Sequence, residues 1–206
     1  MLLSIIEDCS PYYIRFTHDG ISEIIDTCLS SINDVTFTKK WTHHKLHVDI
    51  AEKILNMVPF SKEIVFNQNR VSLFVSQPGL YYRAHKDGLT NRFSINYTVK
   101  VLDDRCITSW YSDEDLRKYN IDNLATNNSR ECENFVKNDH TPLRSMIAKP
   151  GECILFNTDI FHDWDNTNSA NERIILTLRD AQPGKLYFED IKKILFIDMN
   201  RIQDSP

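Results

Sequence analysis

From Pro59 onward, apolar residues alternate with a period of two, in short runs. Apolar, β-branched and aromatic residues gather at 63–66, 71–76, 80–85, 92–101, 106–111, 144–148, 152–156 and 172–179. That alternation and residue choice predict half-buried β-strands. Turn-forming stretches separate the runs, among them Gln77-Pro78-Gly79, Asp87-Gly88 and Pro150-Gly151. No helical segment of crossover length lies between successive strands, which excludes a doubly wound parallel sheet and predicts a sandwich or barrel. Helical spacing occurs only at the flanks. Ile24, Ile25, Cys28, Leu29 and Ile32 predict a helix over 22–32, and Leu46, Ile50, Ile54 and Leu55 one over 46–58. Ile191, Ile194 and Leu195 predict a third over 188–199. The expected fold class is mainly β (α+β), a single domain over residues 1–206 with its core at about 63–180. Residues 112–141 form a polar, Asn-rich insertion. An insertion of that length is either a mobile surface segment or a lid over a site at the barrel mouth.

Composition narrows the partners. With 24 Lys plus Arg against 29 Asp plus Glu, the net charge is -5, which disfavours a broad phosphate-binding surface as a role. A small basic pocket is compatible with that charge. No apolar run reaches membrane-spanning length, and the start, MLLSIIEDCSP, lacks the basic lead of a signal peptide. Five widely spaced cysteines, Cys9, Cys28, Cys106, Cys132 and Cys153, show no C-x-x-C pair. They suit a reducing compartment, and the expectation is a cytoplasmic protein without membrane attachment.

Of the seven histidines, most carry no pattern. His43, His44 and His47 fall at or near the start of the expected second helix, with no third ligand and no H-E-x-x-H glutamate. His18 and His140 sit in turn-like sequence. His85-Lys86-Asp87 differs because it ends an expected strand, where residues two apart project to one side and can converge on an ion. Downstream come the Pro150-Gly151 turn, a strand ending at Phe156, His162 at the start of the next strand, and Arg173 eleven residues later. Arg173, Ile175, Thr177 and Arg179 share one strand face.

In that order, His85, Asp87, Pro150-Gly151, Phe156, His162 and Arg173, the chain resembles the 2-oxoglutarate- and iron(II)-dependent oxygenase superfamily. YYRAH is similar to prolyl-hydroxylase-like members, in which a tyrosine precedes the first ligand by three residues. FHDWDNTNSANERIIL is similar to the distal half of aspartyl/asparaginyl-hydroxylase-like members, which generally lack the carboxylate ligand that this chain keeps as Asp87. Arg173, Thr177 and Arg179 echo the R-x-N-x-T-x-R element of AlkB-type demethylases, with Ile175 in place of the asparagine. The resemblance covers about 71–179. It implies a double-stranded β-helix (jelly-roll, cupin-like) core, with Fe(II) held by His85, Asp87 and His162, and with 2-oxoglutarate and O2 as co-substrates. Arg173 would then bind the distal carboxylate of 2-oxoglutarate through paired, charge-assisted hydrogen bonds. The implied reaction couples oxidative decarboxylation of 2-oxoglutarate to succinate with oxidation, most simply hydroxylation, of a small molecule or a protein side chain.

Further positions follow from strand parity. On 92–101, Ser94, Asn96 and Thr98 form a polar face opposite Phe93, Ile95, Tyr97, Val99 and Val101. That face either lines the pocket, with Asn96 donating to the C1 carboxylate of 2-oxoglutarate, or meets solvent. Tyr82 either contacts the co-substrate or packs at the mouth. Trp110 and Tyr111 are candidates for a substrate wall, or for core. Arg83, by parity with His85 and Asp87, and Arg179 are candidates for an anionic substrate; surface ion pairs are the ordinary alternative. Asp163 and Asp165 read as solvated loop charges. Three rival functions stay open: a non-catalytic cupin-like binding protein, a zinc hydrolase or isomerase on the same ligands, and AlkB-like oxidation of a nucleic-acid base.

Overall fold

A computed structural model describes residues 3–33, 35–39, 41–87, 91–116, 130–131, 137–182 and 184–198. The strands in chain order are β1 (Leu3–Cys9), β2 (Tyr13–His18), β3 (Trp41–Lys45), β4 (Ser72–Ser76), β5 (Tyr81–Lys86) and β6 (Phe93–Lys100). They continue as β7 (Ile107–Trp110), β8 (Arg130–Glu131), β9 (Arg144–Ile147), β10 (Cys153–Asn157), β11 (His162–Asp165) and β12 (Arg173–Leu178). Helix α1 (Ile21–Ser31) and helix α2 (Val48–Met57) interrupt the early strands, α3 (Asp113–Leu116) follows β7, and α4 (Phe188–Lys193) follows β12. A seven-stranded sheet runs β1-β2-β10-β6-β12-β4-β3 and a five-stranded sheet β8-β5-β11-β7-β9, with every pairing antiparallel. From β4 to β7 and from β9 to β12, strands consecutive in the chain alternate between the two sheets, whereas β1 to β4 share the larger sheet and β7 to β9 the smaller. The result is the β-rich double-stranded β-helix.

The larger sheet has two unlike faces. On one, Phe16, Leu73, Ile95, Tyr97, Leu155, Leu176 and Leu178 pack with Ile24 and Cys28 of α1, Ala51 and Ile54 of α2, and Ile191 beyond β12. Each fully buried aliphatic side chain there contributes about 1.5–3 kcal/mol relative to exposure. The opposite face carries Arg173, Ile175 and Thr177 of β12 and Ser94 and Asn96 of β6, and it lines a cavity. Period-two alternation on β6 and β12 therefore separates core from cavity residue by residue. Gly151, at φ 78°, makes the turn into β10, a left-handed conformation costly for any residue with a Cβ.

The structure corrects several expectations. β1 and β2 are strands that the pattern did not announce, because the central residues of β1 are exposed or half-buried and β2 is buried along most of its length. β3 was missed because Thr42, His43, His44 and Lys45 are polar on both faces. His43 and His44 thus belong to a strand, while His47 precedes α2, which runs 48–57 rather than 46–58. The expected strand at 63–66 is a turn with a single bridge, Phe66 to Asp180. The C-terminal helix is α4 followed by a π-helical turn over Ile194–Asp198. Most of the 112–141 insertion lies outside the described residues. No helix among the described residues is long and apolar enough to cross a membrane.

Candidate metal centre

The site begins with an irregularity in the pairing of β5 and β11. His162 pairs with His85 and Trp164 with Tyr82, so Arg83 and Ala84 together oppose Asp163. This β-bulge shifts the side-chain parity of β5 by one. Tyr82 and His85, three apart, consequently face the same cavity, with ring centroids 4.8 Å apart. Arg83 does not line it, so the bulge overturns the parity argument that grouped Arg83 with His85 and Asp87.

Ligand atoms of His85, Asp87 and His162 all lie within 4.8 Å of one another. Both imidazoles are held from behind. His85 Nδ1 is 3.0 Å from the Arg83 carbonyl and His162 Nδ1 2.8 Å from the Ile160 carbonyl. Those contacts assign N–H to Nδ1 and direct Nε2 inward as a ligand atom. His85 Nε2 lies 3.8 Å from Asp87 Oδ1. Arg179 Nη1 donates to the other oxygen, Asp87 Oδ2, at 2.8 Å, which fixes the carboxylate with Oδ1 toward the histidines. Burial raises the Asp87 pKa, but Arg179, His162 and His85 outweigh it and the net direction is down. Burial, followed by His85, pushes His162 down to about 3. One carboxylate and two imidazoles that each present Nε2 form a donor set that fits a divalent transition metal with adjacent positions open.

A second anchor faces this triad across the cavity, whose volume is about 510 Å³. Arg173 is 8% exposed, and its Nη1 donates to Thr108 Oγ1 at 3.3 Å. Its Nε has no hydrogen-bond partner, and no carboxylate pairs with it among the described residues. A buried guanidinium without a counter-charge is unfavourable, so this position calls for an anion. Asn96 also lines the cavity, with Oδ1 unpartnered, so the polar face of β6 points inward rather than to solvent. Tyr82 stacks on Trp164, centroids 4.4 Å apart and planes at 13°, and both rings form cavity wall.

Other candidates sit elsewhere. Trp110 is fully buried in a cluster with Tyr13, Met146, Ile154 and Phe156 and stacks on Tyr13 at 5.0 Å. It is core, not cavity wall. Asp163 is not a solvated loop charge. It is fully buried, accepts from Tyr81 Oη at 3.0 Å, Tyr111 Oη at 2.7 Å and the Ser109 amide at 3.2 Å, and burial raises its pKa to about 6. Asp165 is likewise mostly buried and pairs with Lys137. Sequence reading also missed Thr108, Trp164, Phe74, Arg70, Lys45 and His43 as cavity residues. For Trp164, strand parity counted from His162 was a usable signal; Thr108 shares its parity with Trp110, which is core, so parity did not mark it. Phe74 lies on the expected 71–76 strand, whose faces the pattern did not assign to core or cavity, and Arg70 lies just before it; His43 and Lys45 gave no signal, since β3 was not anticipated.

No protein-family model matches the chain, and no curated protein sequence matches it. Solved structures do. HygX from Streptomyces hygroscopicus, solved with nickel and 2-oxoglutarate bound, superposes with TM-score 0.51 and 10% identity, covering 82% of this chain and 83% of its own. The α-ketoglutarate-dependent epimerase SnoN from nogalamycin biosynthesis gives TM-score 0.49 and 10% identity, covering 85% and 80%. The α-ketoglutarate-dependent carbocyclase SnoK from the same biosynthesis gives 0.46 and 10%, covering 94% and 87%. At such identities the likeness to HygX is one of fold.

Proposed function

We propose that this chain is a 2-oxoglutarate- and Fe(II)-dependent dioxygenase that hydroxylates a small molecule or a protein side chain. One observation carries the reading: a triad of buried His85, half-buried Asp87 and buried His162 shares one cavity with a buried arginine, Arg173, that has no counter-ion among the described residues. HygX, of the same fold, holds nickel and 2-oxoglutarate. In this reading iron, with 2-oxoglutarate and dioxygen, supplies an oxidant for a C–H bond, the overall change being substrate, 2-oxoglutarate and O2 to hydroxylated substrate, succinate and CO2.

The chain's own groups do the positioning. His85 and His162 present Nε2 because their Nδ1–H groups are tied to main-chain carbonyls. Asp87 stays ionised and Arg179 sets its orientation. Arg173 binds the distal carboxylate of 2-oxoglutarate, which satisfies the orphaned Nε in the same step. Asn96 offers its amide to the C1 carboxylate, while the Tyr82–Trp164 stack excludes water from one wall. A zinc hydrolase on the same ligands would leave Arg173 without a role.

Anaerobic titration tests this. Fe(II) followed by 2-oxoglutarate should give a weak visible charge-transfer band, with succinate appearing once oxygen is admitted. His85→Ala should remove both, and Arg173→Gln should raise the 2-oxoglutarate requirement while iron still binds. Absence of the band in the wild type, with no loss of succinate formation in His85→Ala, rejects the proposal.

A further inference from the structure

Strand register places a second cationic group in the cavity, at the end away from Arg173. On β12, β4 and β3, Arg173 is level with Ser76, Ile175 with Phe74 and His43, and Thr177 with Ser72 and Lys45. Arg179 and Arg70 follow beyond that last level and also line the cavity. Six residues of extended chain separate Arg173 from Arg179, roughly 20 Å along the sheet. A five-carbon diacid bound between the triad and Arg173 cannot also occupy the far end.

At that far end, Arg179 is committed to Asp87. Lys45 and Arg70 have no salt-bridge partner among the described residues; Arg70 donates to the Asn91 side chain. The charges act on one another. Desolvation and then Arg179 lower the Arg70 pKa, outweighing Asp87 and Asp180, which raise it, while desolvation and then Arg179, Lys45 and Arg70 lower that of His43. Between the two ends, His43 stacks on Phe74 at 4.7 Å and 8°, and the Arg179 guanidinium lies 5.9 Å over the Phe74 ring, forming a flat wall.

We propose that Lys45 and Arg70 bind an anionic group, carboxylate or phosphate, of a small-molecule substrate whose body lies against the His43–Phe74 wall. This deepens the proposed function and rests on it. Arg70 supplies a planar fork and Lys45 a mobile point charge, a combination suited to an oxyanion. The cations line one cavity, Arg70 half-buried and Lys45 exposed, of a chain with net charge -5, which favours a small anion over a nucleic-acid backbone.

Titration calorimetry on the full chain, loaded with Fe(II) and 2-oxoglutarate without oxygen, provides the test, with inorganic phosphate and acetate as separate probes. Saturable binding of at least one is expected, the tighter probe indicating which oxyanion the site prefers. Lys45→Gln and Arg70→Gln should each weaken it at least fivefold. Arg173→Gln should instead weaken 2-oxoglutarate, at least tenfold. Lys45 is exposed, so its variant reports even where Arg70→Gln folds poorly. If neither probe binds the loaded protein, or if both bind the Lys45 and Arg70 variants as tightly as the wild type, the inference is overturned while the metal and 2-oxoglutarate site stands. The same holds if the Lys45 and Arg70 variants lose 2-oxoglutarate, or if a single-stranded oligonucleotide displaces phosphate at micromolar concentration. Failure of the wild type to take up Fe(II) and 2-oxoglutarate defeats the proposed function itself.

Discussion

The two faces of the seven-stranded sheet are made from the same strands and answer to different demands. Toward α1 and α2, β6 and β12 present Ile95, Tyr97, Leu176 and Leu178, packed as core. Toward the cavity the same strands present Ser94, Asn96, Arg173 and Thr177, and two of these residues hold polar atoms without a partner, Asn96 Oδ1 and Arg173 Nε. The helix-side face holds the fold together. The cavity face leaves hydrogen-bonding capacity unused by the chain itself, a cost that a polar ligand would convert into binding.

Mutations on the two faces should therefore move different observables. The largest stability change is expected on the helix side: Leu176→Ala should lower unfolding free energy by about 2–5 kcal/mol, read as a denaturation midpoint. A loss below about 1 kcal/mol would mean that this face is not the principal core. Next comes Asp163, beside the candidate ligand His162 on β11. Asp163→Ala strands the donors of Tyr81, Tyr111 and Ser109 and should cost about 1–3 kcal/mol; Asp163→Asn, which keeps an acceptor, should restore part of it.

His18 supplies a pH-dependent version of the comparison, since it is a polar residue within the helix-side packing. It is buried, with Nε2 3.0 Å from Tyr97 Oη and Nδ1 2.6 Å from the Asp19 carbonyl, and burial lowers its pKa. The unfolded chain, with an ordinary histidine pKa of about 6.5, takes up the proton before the folded one. The His18 contribution is therefore fully present above about pH 6.5 and is lost as pH falls through the lower, folded-state value. Denaturant midpoints measured downward from pH 7 should show that slope, and His18→Gln should flatten it. The smallest stability effect belongs to the cavity face. Arg173→Met removes a buried, unpaired charge, so its unfolding free energy should stay within about 1 kcal/mol of wild type or rise. A drop of several kcal/mol would give Arg173 a structural role in place of a ligand-binding one.

Much of this could be read along the chain wherever a strand had one apolar and one polar face. The runs at 71–76, 92–101, 152–156 and 172–179 became β4, β6, β10 and β12 within a residue or two. His85, Asp87, His162 and Arg173 were singled out by the ordered motif that resembles the oxygenase superfamily, and the structure brings all four to one cavity. Asp163 was misread because Asp-Trp-Asp resembles a polar turn, and only the packing of Tyr81, Tyr111 and Ser109 shows its burial. β3 went unseen because Trp-Thr-His-His-Lys carries no period that separates an inside from an outside.

By itself, the sequence determined the mainly β class of fold, since alternation sets which side chains share a face; the candidate ligands His85, Asp87 and His162 came from the order of motifs that the family resemblance rests on. Tertiary structure decided which face is which, and where parity breaks. The bulge opposite Asp163 brings Tyr82 to His85 and removes Arg83 from the cavity. The pairing of β3 with β4 delivers Lys45 and His43 to it. Both depend on register between strands distant in the chain, and register is fixed by pairing energies and packing that no local pattern encodes.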